Sequence, residues 1–230
     1  AAMRGTFDQL FTNVVVPPNT DRTILQMARG ASRVDAGLIT RFIQYAARQL
    51  TEHNNLEAVI SGGSQSRIQA IQDAGRNLML PFVEVPKNQR NRQFMQEFNT
   101  RLLNVAPELL RNHLYARVQV MQALSRMGDP QGLNLLIQQL GDPNQPLIVK
   151  QLAAEGLRTI VLEAGDSVST ADRERASNAL VAFLRDHPEA YWLAQARALQ
   201  AIGTFRQISG IQNRDQAVFA HDLLEVLSNE

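Results

Sequence analysis

The sequence predicts an all-α protein, an α-solenoid of stacked antiparallel helix pairs. Three observations carry that prediction. Apolar residues recur at spacings of three and four along most of the chain, and strand-like alternation is confined to residues 81–85. Aromatics supply only 6% of the residues, so core volume has to come from Leu, Ile, Val and Ala, which suits helices. One apolar signature also occurs three times, as Ala123-Leu124 with Met127, Gly156-Leu157 with Ile160, and Ala198-Leu199 with Ile202. Each sets a small residue before a Leu and an apolar residue three positions beyond it. Repeated helix pairs stack in layers, and the small residue lets neighbouring backbones approach.

Residues 1–35 are the least regular. Val14, Val15 and Val16 precede Pro17-Pro18, which bars helix and holds that segment extended. Asn19, Thr20 and Asp21 open a helix over Ile24, Leu25, Met27 and Ala28 that ends near Gly30. From Asp35, a helix presents Leu38, Phe42, Tyr45/Ala46 and Leu50 on one face. Gly62-Gly63 breaks the pattern, and Ser64 leads into a helix with Ile68, Ile71, Ala74/Gly75 and Leu78 inward. Residues 81–88, bracketed by Pro81 and Pro86, read as a connector. A helix with Phe94, Phe98 and Leu102 follows, and Pro107 opens a short one over Leu109 and Leu110.

The second half repeats. A helix over 115–127 turns at Gly128-Asp129-Pro130 into one carrying Leu133, Leu136, Ile137 and Leu140. Gly141-Asp142-Pro143-Asn144 turns again, and Ile148, Leu152, Gly156/Leu157 and Ile160 line a longer helix. Ser169, Thr170 and Asp172 start the next, with Ala176, Leu180 and Phe183/Leu184 inward. Leu193, Ala196, Leu199 and Ile202 lie on the following helix, and Phe219/Ala220, Leu223 and Leu227 on the last.

The marker leucines Leu124, Leu157 and Leu199 stand 33 and 42 residues apart, against roughly 40–47 for armadillo-type helix pairs. The stretch from Leu133 to Leu157, with its Asp142-Pro143 turn, Val149-Lys150 and Ala153-Ala154 before Gly156-Leu157, resembles HEAT repeats. The likeness is to the short bacterial kind also found in the phycobilin-lyase-like group, and it covers roughly 113–230. Lys150 sits where that family usually has Arg, and Arg117 matches the position one repeat earlier. The resemblance implies that Asp129, Asp142, Lys150 and Arg117 support the repeat, by capping helix starts and bridging layers. Residues 1–112 form an N-terminal helical region, either degenerate repeats, a cap or a separate bundle, ahead of HEAT-like repeats over 113–230.

Chemistry is sparse. There is no cysteine, which excludes disulfides, thiolate zinc sites and thiol catalysis. His53, His113, His187 and His221 never stand three or four residues apart, so no helical metal pair exists; each reads as a surface or partly packed histidine. Gly62-Gly63-Ser64 lacks the Lys-Ser/Thr of a phosphate loop and reads as a connector. Asp166, Asp172 and Glu174, beside Arg173 and Arg175, suit a helix dipole and local ion pairs. Lys87, Arg90 and Arg92 beside Phe94 read as a solvated loop entering a core-facing helix.

The net charge of +1 argues against a nonspecific grip on nucleic acid, although residues 1–130 carry 15 basic against 10 acidic groups and residues 131–230 carry 8 against 12. No run reaches the ~18 apolar residues of a membrane helix. The lone Trp192 serves either as packing, the favoured reading, or as an exposed anchor. These observations favour a non-enzymatic scaffold that binds a protein partner on the groove lined by the second helix of each pair. Arg117, Arg158, Trp192 and Gln195 are the first candidates for that contact. No residue is assigned to catalysis, cofactor or metal. The alternative is an enzyme on a HEAT-like scaffold, phycobilin-lyase-like or DNA-glycosylase-like. No compartment or oligomeric state is favoured.

Overall fold

A computed structural model describes residues 7–205. Among them the chain is all-helical, with ten α-helices, three short 3-10 turns and no strand. It divides into two compact units between Ala123 and Leu124, within the sixth helix. The expected last helix, over Phe219, Ala220, Leu223 and Leu227, lies outside the described residues.

The first unit holds α1 (Thr20–Ala28), α2 (Ala36–Thr51), α3 (His53–Ser61), α4 (Gln65–Glu84), α5 (Arg92–Arg111) and the first part of α6 (Leu114–Met127). The Asp35 carboxylate caps α2 by accepting the Leu38 N–H at 2.9 Å. Ile39, Phe42, Ile43, Ala46, Ala47 and Leu50 are buried, and α2 packs against both α4 and α5. Leu38 and Tyr45 are only half-buried, so the inward face sits further round toward Ile39 and Ile43 than the sequence suggests. α3 is a separate helix that the sequence merges with its neighbour. Glu52 stands in extended backbone between α2 and α3 and breaks the run.

Two prolines overturn expectations. Residues 81–84 are not connector: α4 runs through Pro81 to Glu84. Proline inside a helix deprives the carbonyl four residues back of its partner and costs about 3 kcal/mol. Burial of Phe82 and Val85, each worth about 1.5–3 kcal/mol, offsets that cost. Arg90 then closes the helix end, its guanidinium donating to the Val85 and Phe82 carbonyls at 3.0 and 2.8 Å. Pro107 likewise starts no new helix but lies inside α5. Val105, Ala106, Leu109 and Leu110 around it are all buried, so packing overrides the local preference.

The second unit begins in α6 and continues through α7 (Leu133–Gly141), α8 (Leu147–Ala164), α9 (Thr170–Asp186) and α10 (Trp192–Thr204). Gly128 turns the chain at φ +64°, and Asp129 caps the short turn that follows by accepting the Gln131 N–H at 3.0 Å. α8 packs along both α7 and α10, and α9 packs along the same two helices, while the consecutive α8 and α9 hardly touch. Gly156 is where a close approach demands glycine. A Cβ there would stand 2.8 Å from Leu136 Cδ1 and 3.1 Å from the Ser125 Cα. Ile148, expected inward, is exposed, and Val149 takes the buried position beside it. In α10 the buried stripe is Ala194, Ala198, Ala201 and Ile202, with Leu193 and Leu199 half-exposed at its flanks.

Candidate binding surface

In the second unit the N-terminal ends of α8 and α10 lie together. The Tyr191 hydroxyl, one residue before α10, donates to the side-chain oxygen of Gln151 in the second turn of α8. Tyr191 holds the α10 entrance, yet remains 42% exposed. The next residue, Trp192, is 75% exposed. Indole is a large apolar side chain with one polar atom, and burying it is worth several kcal/mol to any partner that covers it. On α8, Ile148 stands three residues before Gln151, on the same side of the helix, and is exposed as well. The Gln195 amide donates to the Pro188 carbonyl at 2.8 Å, which ties α10 to the turn before it. Arg158, further along α8, is half-buried.

Beneath this aromatic edge sits a polar support. Lys150 is buried, and its ammonium lies 3.1 Å from His187 Nε2. An ammonium can only donate, so the ring nitrogen accepts, and the ring's Nδ1 faces Glu189 at 3.6 Å. Burial lowers the Lys150 pKa, and the carboxylates of Asp142 and Asp186 partly offset it. Asp142 itself accepts the Asn144 N–H at 2.8 Å and shapes the turn before α8. Lys150 thus links the turn ahead of α8 to the end of α9.

Arg117 belongs to the first unit and is buried, with its Nε donating to the Asn112 carbonyl at 2.5 Å. A guanidinium committed in this way supports the backbone at the start of α6. Its neighbour His113, which the sequence gives as a surface or partly packed histidine, departs from that reading. His113 is buried against Leu50, with Nε2 at 3.0 Å from that carbonyl. The Ala116 N–H reaches His113 Nδ1 at 3.3 Å, so the ring caps α6. No periodicity marks such a residue, because two of its partners, Leu50 at the end of α2 and Phe7, are distant in sequence.

Among the described residues no group of three or more His, Asp or Glu side chains is placed to hold a metal ion. No helix there is long and apolar enough to cross a membrane. Compared with known proteins, the chain matches no family model, no curated protein and no solved structure.

Proposed function

We propose that this chain is a non-enzymatic HEAT-like scaffold, an α-solenoid segment that docks a protein partner over the aromatic edge formed by Tyr191 and Trp192. The observation that carries this reading is the placement of the lone tryptophan, three-quarters exposed, on a helix end held in position by the bond from Tyr191 to Gln151. An anchor on a rigid element loses little conformational freedom on binding, and that is the condition under which aromatic hot spots form. The alternation of partners in the second unit, α7 with α8 and α9, and α10 with α8 and α9, also favours layered helix pairs. So does the glycine at the closest approach, Gly156.

A photo-crosslinking residue in place of the exposed Glu189, three positions before Trp192 and leaving the indole intact, tests the proposal in nuclease-treated lysate of the source cell. The expected result is one protein adduct, competed away by unlabelled parent chain but not by a Trp192→Asp variant that keeps its helical circular dichroism. The same photo-crosslinker at Arg76, exposed on α4, should give no such adduct. An adduct to nucleic acid or pigment, or equal labelling from both positions, would count against the scaffold.

A further inference from the structure

The first unit carries a strap. Residues 7–16 precede α1 in irregular backbone with a turn from Phe11 to Val14, and side chains of the helices grip their main chain. The Asn112 amide donates to the Asp8 carbonyl at 2.9 Å, and the Leu10 N–H donates to Thr51 Oγ1 at 3.0 Å. Arg48 Nη1 reaches the Val14 carbonyl at 2.9 Å. Phe7 lies across the His113 ring with centroids 5.8 Å apart and planes 28° apart, yet is itself 54% exposed. The strap therefore has few buried apolar contacts and rests on a small set of polar ones, which is the profile of a segment that opens locally.

His113 sits at the centre of that set. Its two ring nitrogens have opposite duties: Nδ1 accepts the Ala116 N–H, and Nε2–H donates to the Leu50 carbonyl. Only the neutral imidazole can do both. The backbone N–H of His113 also donates to Asn112 Oδ1 at 2.9 Å, which turns the Asn112 amide so that its NH2 faces Asp8. One residue thus orients the amide that holds the strap and supplies the ring on which Phe7 stacks. A second proton on the ring would set N–H against N–H at Ala116 and place a positive charge beside Arg117.

We propose that His113 is the release catch of a pH-operated latch, in which protonation of its imidazole frees residues 7–14 while the helices of the unit stay folded. Charged groups on the surrounding elements are Asp8 on the strap, Arg48, Glu52 and His53 about the end of α2, Arg111 at the end of α5, and Arg117 on α6. Burial lowers the His113 pKa most, the Leu50 carbonyl raises it, and Arg117 lowers it again. The latched state therefore disfavours the proton at and below the ordinary value of 6.5, and release, by opening the ring to water, relieves part of that penalty. Latch stability is full above that pH and falls as pH drops below it. Release bares Thr51, Asn112 and Arg48, three side chains that already bind main-chain groups of the strap.

Amide hydrogen exchange on the full chain tests this, with each rate corrected for its intrinsic pH dependence. Between about pH 7.5 and pH 5, protection at Leu10 should fall by more than about tenfold, while protection at Ile43 in α2 should hold. A His113→Gln variant should show no such pH dependence at Leu10. Constant protection in the parent chain, an equal fall in the variant, or a parallel loss at Ile43 would each overturn the latch. If His113→Gln does not fold, the parent's imidazole resonance decides: its titration must track the loss of Leu10 protection. A Phe7→Ala variant should speed Leu10 exchange at neutral pH without altering Ile43, and unchanged exchange there would also count against the proposal.

Discussion

At the scale of single residues, two positions put the packing to direct test. Gly156 faces Leu136 and the Ser125 backbone at distances that leave no room for a branched side chain. Gly156→Val should therefore lower stability by about 1–3 kcal/mol in urea denaturation, because the backbone of α6 cannot yield as a side chain would. Gly203, on the exposed side of α10 with nothing within 4 Å of its added Cβ, provides the contrast. Gly203→Ala should be neutral or stabilise by up to about 0.5–1 kcal/mol, since alanine is the better helix former. His113 offers the second test. Its pKa lies below 6.5 in the folded chain, so the unfolded chain takes up the proton first as pH falls. Its stabilisation is complete above that value and is lost below it, at up to about 1.4 kcal/mol per pH unit. Parent and His113→Gln should therefore differ more at neutral pH than at pH near 5, as read from paired denaturation midpoints.

At the scale of elements, two helix starts, at Asp35 and Ser169, are written in the sequence as capping residues. Ser169 caps α9 as its sequence suggests. Its Oγ accepts the Asp172 N–H at 3.1 Å and donates to the Asp172 carboxylate at 2.7 Å. That donated bond, with further help from Arg175, lowers the Asp172 pKa despite slight desolvation. Ser169→Ala should cost about 1 kcal/mol and move the Asp172 titration upward toward the ordinary carboxylate range, as followed by NMR. The sign is fixed by the native shift. Asp172 contributes above its unfolded pKa, the contribution fades as pH falls through the folded value, and the variant has less to lose. Helix ends were harder to read. The prolines at 81 and 107 look like boundaries locally, and only burial around Phe82 and Leu109, together with Arg90 reaching back to two carbonyls, carries the helices past them. Such compensation comes from residues distant in sequence or from volume, and neither shows in a window of neighbours.

At the scale of the whole molecule, helical character was legible because apolar spacing of three and four is a local signal. The turns at Gly128-Asp129 and Asp142 were legible for the same reason. Which face of a helix is innermost was less so: Ile148 and Leu199 satisfy the period, yet Val149 and Ala198 take the buried positions, a shift of one residue that the three-and-four spacing does not resolve. The surface candidates divided by environment. Trp192 is exposed and Arg117 is committed to a carbonyl, a distinction that residue type alone does not contain. The position of Trp192 has an optical consequence. The chain has a single indole, and in the native state it already lies mostly in water. Its emission should be red-shifted and readily quenched by iodide before any denaturant is added, and unfolding should change it little. Intrinsic fluorescence will then be nearly blind to folding while remaining a sensitive reporter of docking, since whatever covers that edge must shift the spectrum to the blue.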